Sequence, residues 1–600
     1  MCRIFGYMGA AAVSDRDLIN VSQAQLHGGP DQQNFVQKDC WALGSNRLMI
    51  QGRSGGKQPF SSEKVYAVYN GEIYNHDELR RSLKHKGYQF LDSCDGNVIL
   101  PLYLEYGEAA FSYMDGMFAI ALVDLRNSPK LILANDPIAI KSIYYICDQK
   151  QKTIYFASEI GALLEFGSEN PEINPVAVDE FFTMRAVCSE QTILGGIKTL
   201  KPASVLKYEL DVGQLSLESY EPKIQTSLKN QDDSNSFLES ELISEIGLLS
   251  KAEVPVCFIN SGGLDSSLLT AIAAKELGQS ITSFHVCYKG NWPSDERHYA
   301  QKVAQFVGAE HHEIELDPDN FPELIQEMIP HLGQPNSAPH SLSSFGMFKY
   351  IKRAGFTVAI AGEGADEVFV GYERFLRAFD DQPNWVDAYL DKFGAFKQSY
   401  KKLIYSPEFF SWLEKSGNCE QNLRAKLSHF PVGEERLKAL VHLDQYDRFP
   451  YYILRRTDHM SMAHAVEVRV PFCQPKIVHL GNNLPMAAKT NGKYTKKILN
   501  EIGRKYLPME IIERKKQPFT LPVQAIMLEN RRVAEFIQDI LSSAVALENQ
   551  FLAAAALKTL FNDFRKDPNE DLAQLIWSSL IFVLWLDWFN KVKEKRISHA

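Results

Sequence analysis

Apolar residues in the first third of the chain form short β-prone runs, with helical stretches between them over 76–86 and 97–106. Many strands with a few helices predict an α+β layered domain. We place this domain at residues 1–222. Its clearest strands are predicted at 41–44, 65–69, 118–123, 131–134 and 153–157.

From about residue 237 the pattern changes, and apolar strand-like runs alternate with helix-like segments. Such alternation predicts a parallel, doubly wound α/β sheet, whose ligands bind beyond the carboxyl ends of the strands. The polar segment 223–236 is predicted to be a linker, so the second domain spans 237–600. Its predicted strands are 254–259, 281–287, 311–316 and 356–360.

Length and composition are those of a multidomain globular protein. A chain of 600 residues is too long for one core and predicts two to four domains. The net charge of −10 argues against general nucleic-acid binding. Nine cysteines without regular spacing, and no CxxC pair, argue against a disulfide framework and a structural zinc site. A reducing, cytoplasmic location fits this cysteine usage best.

The most strongly apolar run, 575–586, contains two serines and is shorter than a membrane span, so a buried helix is predicted there. The first residues, 1–6, contain no secretory apolar region. We therefore expect partners that are neither nucleic acid nor membrane.

The segment 261–267, SGGLDSS, joins the predicted strand 254–259 to the helix that follows it. Its glycines let the backbone close on a phosphate, and free N–H groups at the helix start face the anion. The spacing is not that of the Walker loop. It resembles the loop of ligases that cleave ATP to AMP and pyrophosphate. An ordinary strand–helix turn is the alternative, but the length of the pattern favours a nucleotide site.

A second loop with chemistry follows the predicted strand 356–360. Asp366 in this loop and Asp265 in the first would give two hard oxygen ligands, suited to Mg²⁺ on the ATP phosphates. Glu363 lies between two glycines and could contact the substrate or its adenylate. A solvated acidic turn is the alternative. Farther on, a lysine from 491–499 could reach the phosphates, although a lysine pair on a helix is more typical of a solvated surface.

Cys2 follows the initiating methionine. If Met1 is removed, the α-amine of Cys2, with a reference pKa of about 8, can act as the base for its own thiol. Cys2 by itself would be read as an incidental residue. Other residues of the same region suggest that it belongs to a site.

Five further residues could build an amino-acid site around this thiol. The Asn70 amide and the Gly71 N–H, at a turn after a strand, could form an oxyanion hole. Arg47 suits a carboxylate, and Glu72 and Asp95 suit an ammonium group. One arginine with two acids fits free glutamine. The alternatives are a hairpin turn for Asn70–Gly71 and a surface ion pair for Arg47.

Residues 1–222 resemble the class II glutamine amidotransferase domain. The resemblance is carried by MCRIFG, HGGPD at 27–31, NRL at 46–48, YNGEIYN at 69–75, DGMFA at 115–119 and FASE at 156–159. It implies the N-terminal-nucleophile fold and attack of Cys2 on the glutamine amide. It also implies that Asn70 and Gly71 stabilise the oxyanion, and that glutamine is bound by Arg47, Glu72 and Asp95.

Residues 237–590 resemble the synthetase domain of glutamine-hydrolysing asparagine synthetases and their β-lactam synthetase relatives. The matching segments are SGGLDSS, GEGADEVF at 362–369, SMAHAVEVRVPF at 461–472 and NGKYTKKIL at 491–499. The resemblance implies Mg²⁺ on Asp265 and Asp366, with Glu363 aiding acyl-adenylate formation and Lys496 directed at the phosphates. The residues implied to surround ATP are Ser261, Gly262, Gly263, Asp265, Ser266, Val286 and Gly362.

The chain departs from the family pattern at several positions. Gly28 stands where the amidotransferase family usually has arginine in HRGPD, and the family's Asp-Glu pair before the second loop is Gly333-Gln334 here. These changes bear on domain coupling and on the acceptor rather than on the nucleophile. The other departures in the first domain are Asn135, Ala139 and Ser142.

Three hypotheses follow. The first is ATP-driven, glutamine-dependent conversion of aspartate to asparagine, with release of glutamate, AMP and pyrophosphate. The second is amidation of a specialised, natural-product carboxylate by the same architecture. The third is a catalytically silent regulatory homologue, against which Cys2, Asp265, Glu363 and Asp366 together argue. The small-molecule partners would be glutamine, ATP and the acceptor, with a homodimer left open.

Overall fold

The computed structural model describes residues 2–10, 13–52, 55–90, 92–167, 171–224, 234–292, 295–393, 398–514 and 521–597. Residues 225–233, which make up most of the predicted linker, lie outside this part of the chain.

The first region contains two antiparallel sheets, each with six described strands. Their orders are β10-β8-β9-β1-β3-β2 and β12-β11-β7-β6-β5-β4. The strands are β1 (Cys2–Gly9), β2 (Gln32–Lys38), β3 (Trp41–Arg47), β4 (Phe60–Ser62), β5 (Val65–Ile73), β6 (Gly116–Asp124), β7 (Lys130–Asn135), β8 (Tyr144–Asp148), β9 (Thr153–Ala157), β10 (Ile197–Thr199), β11 (Ser204–Glu209) and β12 (Gln214–Ser219).

The two sheets pack face to face because alternate residues of their strands are apolar. Cys2, Ile4 and Met8 of β1 share one core with Val68 of β5 and Ala119 of β6. Helices cover the outer faces, so the region is a layered α+β sandwich, as predicted. Its helices are α1 (Asp15–Ala24), α2 (His76–His85), α3 (Ile99–Tyr106), α4 (Ile160–Leu164) and α5 (Pro175–Met184).

The second region is built on a parallel sheet with five described strands in the order β15-β14-β13-β16-β17. This confirms the predicted doubly wound α/β class. The chain leaves β13 in one direction and later returns on its other side, so the loops after β13 and β16 are neighbours. The strands are β13 (Val256–Ile259), β14 (Thr282–Tyr288), β15 (Glu310–Leu316), β16 (Val358–Ile360) and β17 (Glu467–Arg469).

Helices surround this sheet, and further helices follow its last strand in the chain. They are α6 (Ser234–Leu249), α7 (Leu264–Lys275), α8 (Arg297–Val307), α9 (Phe321–Leu332), α10 (His340–Arg353), α11 (Ala365–Val368), α12 (Trp385–Phe393), α13 (Gln398–Ile404), α14 (Pro407–Ser416), α15 (Cys419–Leu427), α16 (Glu434–His442), α17 (Arg455–Met462), α18 (Pro475–Asn483), α19 (Met486–Lys489), α20 (Lys497–Tyr506), α21 (Met509–Glu513), α22 (Val523–Glu529), α23 (Arg531–Leu541), α24 (Ala544–Glu548), α25 (Ala554–Lys566) and α26 (Glu570–Ile597).

Other helical turns connect these elements. The 3₁₀ turns are Leu26–Gly28, Asp95–Val98, Gly107–Tyr113, Pro318–Asn320, Glu373–Phe379 and Pro471–Cys473, and Leu443–Leu454 is a π-helix.

The C-terminal helix α26 is long and apolar enough to cross a membrane, but 78% of its most apolar window is buried inside the protein. Its indole Trp585 donates a hydrogen bond to the Gly333 carbonyl at 3.1 Å. The prediction of a buried helix at 575–586 is confirmed, and the helix reaches the segment that precedes α10.

Candidate active site

Cys2 lies at the start of β1, in the core between the two sheets of the first region. Its main-chain N–H donates to Asn70 Oδ1 at 3.1 Å, and Gln58 Nε2 donates to its Sγ at 3.3 Å. Burial raises the pKa of the Cys2 thiol, which the positive charge of Arg47 only partly opposes. The thiol is therefore neutral near pH 7, and its reaction as a nucleophile requires a base.

Asn70 and Gly71 lie within a strand, and the prediction of a turn after the strand was wrong. β5 continues to Ile73, with Asn70 opposite Ala119 and Gly71 opposite Phe118 of β6. Gly71 has φ +153°, and a Cβ there would lie 2.0 Å from the Met117 carbonyl oxygen. Only glycine fits this close approach, which keeps Asn70 against Cys2.

Arg47 and Asp95 are both held by the protein next to Cys2. Arg47 is the strand partner of Cys2, and its guanidinium donates to the carbonyls of Gly55 (2.6 Å) and Gly52 (3.0 Å). Asp95 accepts from Tyr69 Oη at 2.5 Å and from the Ile73 N–H at 2.9 Å. The alternative for Arg47, a surface ion pair, does not fit its largely buried side chain.

Glu72 is buried beside the same centre, and its partner comes from the second region. Arg469 Nη2 of β17 lies 3.6 Å from Glu72 Oε2. Burial, together with the neighbouring Asp95, raises the pKa of Glu72 well above its usual value, and Arg469 opposes this shift. Neither Gln58 nor Arg469 was predicted as a site residue from the sequence, although Arg469 belongs to the segment 461–472 that carries part of the family resemblance.

The loop after β13 is organised by a buried amide. Asn260 Oδ1 accepts from the Gly262 N–H at 3.0 Å, and its Nδ2 donates to the Ala300 carbonyl at 3.2 Å. Ser266 Oγ accepts from the Ser261 N–H at 3.1 Å. Gly262 has φ +73°, and a Cβ there would meet α8 at 2.6 Å. Gly263 is the residue that caps α7 at the helix start.

The loops after β13 and β16 meet at a buried lysine. Lys496 Nζ lies 2.5 Å from Asp265 Oδ2 and 2.7 Å from Asp366 Oδ1. Its side chain is 5% exposed, in contrast to the solvated surface that helical spacing favours. Lys496 has φ +51° and precedes α20, so the start of that helix aims the ammonium at both carboxylates.

Glu363 lies on the same loop as Asp366, and burial raises its pKa, opposed by the charge of Arg456. Gly362 packs on the start of α7, where a Cβ would lie 3.0 Å from the Ser266 N–H. Val286 lies within β14, and its side chain is buried. Arg456, on α17, is a further residue that sequence reasoning missed.

The segment 333–338 that replaces the family's acidic stretch contacts the first region. Gln334 Oε1 accepts from the Ile193 N–H at 3.0 Å, and the Ser337 N–H donates to the Arg185 carbonyl at 2.9 Å. Gly333 has φ +68°. Gln334 therefore serves an interdomain hydrogen bond.

The other departures from the pattern are buried structural positions. Asn135 Nδ2 donates to the Leu200 carbonyl at 3.0 Å, Ala139 has φ +52°, and Ser142 is 5% exposed.

Family models match both regions. The glutamine amidotransferase domain matches residues 1–221, and the asparagine synthase model matches residues 245–587. The folds and the two centres define a glutamine-dependent carbon–nitrogen ligase. The chain belongs to the asparagine synthase family, which uses ATP as a co-substrate.

Three curated relatives each cover 83% or more of the chain. Glutamine-hydrolysing asparagine synthetase 1 of Bacillus subtilis (strain 168) is 26% identical, over 98% of this chain and 96% of its own length. Glutamine-hydrolysing asparagine synthetase B of Escherichia coli (strain K12) is 27% identical, over 87% of this chain and 82% of its own length. The amidase chry2 of Gibberella zeae is 26% identical, over 83% of each chain.

Proposed function

We propose that the protein converts aspartate to asparagine, with glutamine as the nitrogen donor and ATP as the energy source. The observation that carries the proposal is the contact of Lys496 with both Asp265 and Asp366 at the strand ends, in a chain that also has Cys2 against Asn70. Two of the relatives described above are named as asparagine synthetases, which supports aspartate as the acceptor.

In the first half-reaction, the free α-amine of Cys2, after removal of Met1, accepts the thiol proton. The sulfur attacks the glutamine amide carbon, and Asn70 Nδ2 and the Gly71 N–H stabilise the oxyanion. Collapse of the tetrahedral intermediate forms a γ-glutamyl thioester and releases ammonia, and water then frees glutamate. Arg47 binds the α-carboxylate of glutamine, while Glu72 and Asp95 bind its ammonium group.

In the second half-reaction, the acceptor carboxylate attacks the α-phosphorus of ATP and expels pyrophosphate. Ammonia then attacks the acyl carbon of the adenylate, and AMP leaves. Lys496 stabilises charge on the phosphates, and Glu363 lies close to the acyl group. The loop around Ser261, Gly262, Gly263 and Ser266, together with Gly362 and Val286, surrounds the nucleotide.

Asp265 and Asp366 fit a magnesium ion that also binds ATP. Mg²⁺ commonly takes one or two carboxylates, with substrate phosphates and water as the remaining ligands. No group of three or more histidine, cysteine, aspartate or glutamate side chains that could hold a metal ion occurs among the described residues. Bound Mg²⁺ would neutralise charge on the pyrophosphate leaving group. Lys496 places a positive charge between the same two carboxylates.

We assign the glutaminase reaction to residues 1–222 and the synthetase reaction to 237–600, with 223–236 as the linker. The last described strand of the sandwich ends at Ser219, which fits the first boundary, whereas α6 begins at Ser234, three residues before the second.

A specialised carboxylate is the second candidate acceptor. It is favoured by Gly333 and Gln334, which replace an acidic pair, and by the use of Gln334 in an interdomain hydrogen bond. A relative named as an amidase fits the same view.

The test is mass spectrometry of the products formed from the protein, Mg-ATP, aspartate and amide-¹⁵N glutamine. Labelled asparagine together with AMP is the expected result. Glutamate without asparagine or AMP would refute aspartate as the acceptor and leave the glutaminase half standing. Cys2→Ala is the matched control, since it should lose glutamine-dependent synthesis and keep synthesis from ammonium salts.

A further inference from the structure

Arg3 follows Cys2 on β1 and points to the opposite side of the sheet. Cys2 and Ile4 face the core between the sheets, whereas Phe5 and Tyr7 face the core shared with the second region. Arg3 is 1% exposed, and its Nη1 donates to Asp458 Oδ2 of α17 at 2.7 Å. Arg3, the residue that follows Cys2, is thus hydrogen-bonded directly to the synthetase domain.

Asp458 is the centre of a buried network of charges. Its Oδ1 accepts from Lys141 Nζ of the first domain at 2.6 Å. Arg3 Nε donates to Glu159 at 2.7 Å, and Glu159 also contacts His27 at 2.9 Å. Burial disfavours the ionised form of Asp458, but Lys141 and Arg3 outweigh it and lower its pKa to about 2. The carboxylate therefore stays charged and holds two cations of the other domain.

Gly28 provides the space for Arg3. A Cβ at position 28 would lie 2.8 Å from both Cγ and Nε of Arg3, so a larger residue there would collide with the guanidinium stem. The amidotransferase pattern has arginine at this position. In this chain that space is occupied by the guanidinium stem of Arg3, which lies on β1 next to Cys2.

The helix that receives Arg3 also reaches the second centre. Arg456 lies two residues before Asp458 on α17, and its charge acts on Glu363. Arg456 Nε and Nη1 are buried without a hydrogen-bond partner among the described residues. On one short helix, Asp458 therefore accepts a hydrogen bond from the residue that follows Cys2, and the charge of Arg456 acts on Glu363 at the expected ATP site.

We propose that Arg3 is a positioning residue that couples glutamine hydrolysis to use of the acyl-adenylate, through Asp458 and α17. The proposal rests on the function proposed above. A change in α17 that accompanies reaction at Glu363 displaces Asp458, and Arg3 transmits this displacement to the strand that carries Cys2. Glutamine hydrolysis and formation of the amide product then occur at matched rates, and little ammonia escapes to solvent.

Arg3→Met tests the coupling, because it removes the cation and keeps most of the side-chain volume. Three quantities are measured: glutaminase activity, synthesis from ammonium salts, and the fraction of glutamine ¹⁵N that enters the amide product. We expect both half-reactions within about threefold of the unaltered protein. We expect the transferred fraction to fall about fivefold or more, the lower end of typical coupling effects.

Lys401→Met is the matched control. Lys401 lies on α13 and forms a buried ion pair with Asp179 of α5 at 3.1 Å, so it also joins the two domains, but away from the nucleophile strand. This variant should lose stability and keep nitrogen transfer. An equal drop in transfer in both variants, or an unchanged transfer in Arg3→Met, would overturn the proposal.

A second set of variants keeps the test decisive if Arg3→Met loses both half-reactions. Arg3→Lys retains a cation with a reach to one carboxylate, and should give intermediate transfer with both half-reactions kept. Gly28→Arg alone should impair transfer, and the double variant Arg3→Gly with Gly28→Arg should recover it. A double variant no better than Gly28→Arg would contradict the shared position of the two side chains.

The unaltered protein separates failure of this proposal from failure of the proposed function. If it forms no labelled amide, the acceptor is wrong. The change in glutaminase rate on adding Mg-ATP then measures coupling, and Arg3→Met should abolish that change.

Discussion

At the scale of single residues, the first centre depends on a neutral thiol and on one glycine. Burial raises the pKa of Cys2, so the thiol needs a proton acceptor at neutral pH. The Cys2 nitrogen already donates to Asn70 Oδ1, which fixes its position beside the expected oxyanion site. The free α-amine is the base that this geometry favours.

The rate of glutamine hydrolysis should therefore rise with pH. The amine must be neutral to accept the thiol proton, so kcat/KM should fall as pH drops below its reference pKa of about 8 and level off above it. The measurement is a pH profile of glutamate release. A form that retains Met1 should be inactive at every pH, and full activity of that form would contradict the role of the amine.

Gly71→Ala should inactivate the glutaminase. The added Cβ would lie 2.0 Å from the Met117 carbonyl oxygen, and φ +153° is unfavourable for alanine. We expect a loss of at least about 2 kcal/mol in the free energy of unfolding, since the substitution combines overpacking with backbone strain. Thermal denaturation and glutamate release measure the two effects. Gly87→Ala is the control, because Gly87 also has positive φ but nothing lies within 4 Å of its Cβ position.

At the scale of secondary-structure elements, strand β17 connects the two centres. It pairs with β16, which leads into the loop with Glu363 and Asp366, and it presents Arg469 to Glu72. Arg469 also donates to the carbonyls of Leu249 and Lys251 at 2.7 Å, so the end of α6 fixes its position. The second domain thereby supplies the counter-charge for an expected glutamine ligand.

Arg469→Met should weaken glutamine binding more than it slows the chemical step. Without the guanidinium, burial and Asp95 should raise the pKa of Glu72 further, which disfavours the charged form that attracts an ammonium group. We expect the KM for glutamine to rise about tenfold, or about 1.4 kcal/mol, with a smaller change in kcat. Lys476→Met, which removes a neighbouring interdomain cation 3.6 Å from Asp115, is the control. A larger effect on kcat than on KM would count against this explanation.

At the scale of the whole molecule, the interface between the domains contains two neutral histidines, the buried His459 and the half-buried His464. Burial, together with the charge of Arg3, lowers the pKa of His459 to about 4, and burial lowers that of His464 to about 4. His459 is surrounded by Arg3, Glu159, Asp458 and Arg455, and its ring lies 6.1 Å from that of Tyr144. At acidic pH, protons therefore bind these two histidines more readily in the unfolded chain than in the folded interface.

Stability should consequently fall below the ordinary histidine pKa of about 6.5. The unfolded chain binds a proton at His459 between that pH and about pH 4, whereas the folded protein does not. The effect of His459 on the free energy of unfolding is absent above about pH 6.5, and the free energy of unfolding decreases as pH falls from about 6.5 to about 4. Between pH 7 and 5 the loss is about 2 kcal/mol. Denaturation curves of His459→Gln should show a correspondingly weaker pH dependence, and exposed His85→Gln should not.

Much of the architecture could be predicted from local pattern. The alternation of strands and helices after residue 237 gave the parallel sheet, and SGGLDSS marked the loop after β13 because glycines, serines and a helix start are adjacent in the chain. The turn assigned to 69–75 was wrong because pairing with β6 extends β5 through Gly71. An Asn-Gly pair favours a turn locally, and tertiary pairing overrode that preference.

The sequence by itself determined the two domain classes, the family and the residues whose chemistry suggests each centre, since these depend on residue type and short spacing. Only the tertiary structure decided the partners of those residues. Lys496 lies between Asp265 and Asp366, Arg469 lies beside Glu72, and Arg3 binds Asp458, 455 residues away in the chain. Such contacts arise because buried charges must find opposite charges wherever the packed elements bring them together.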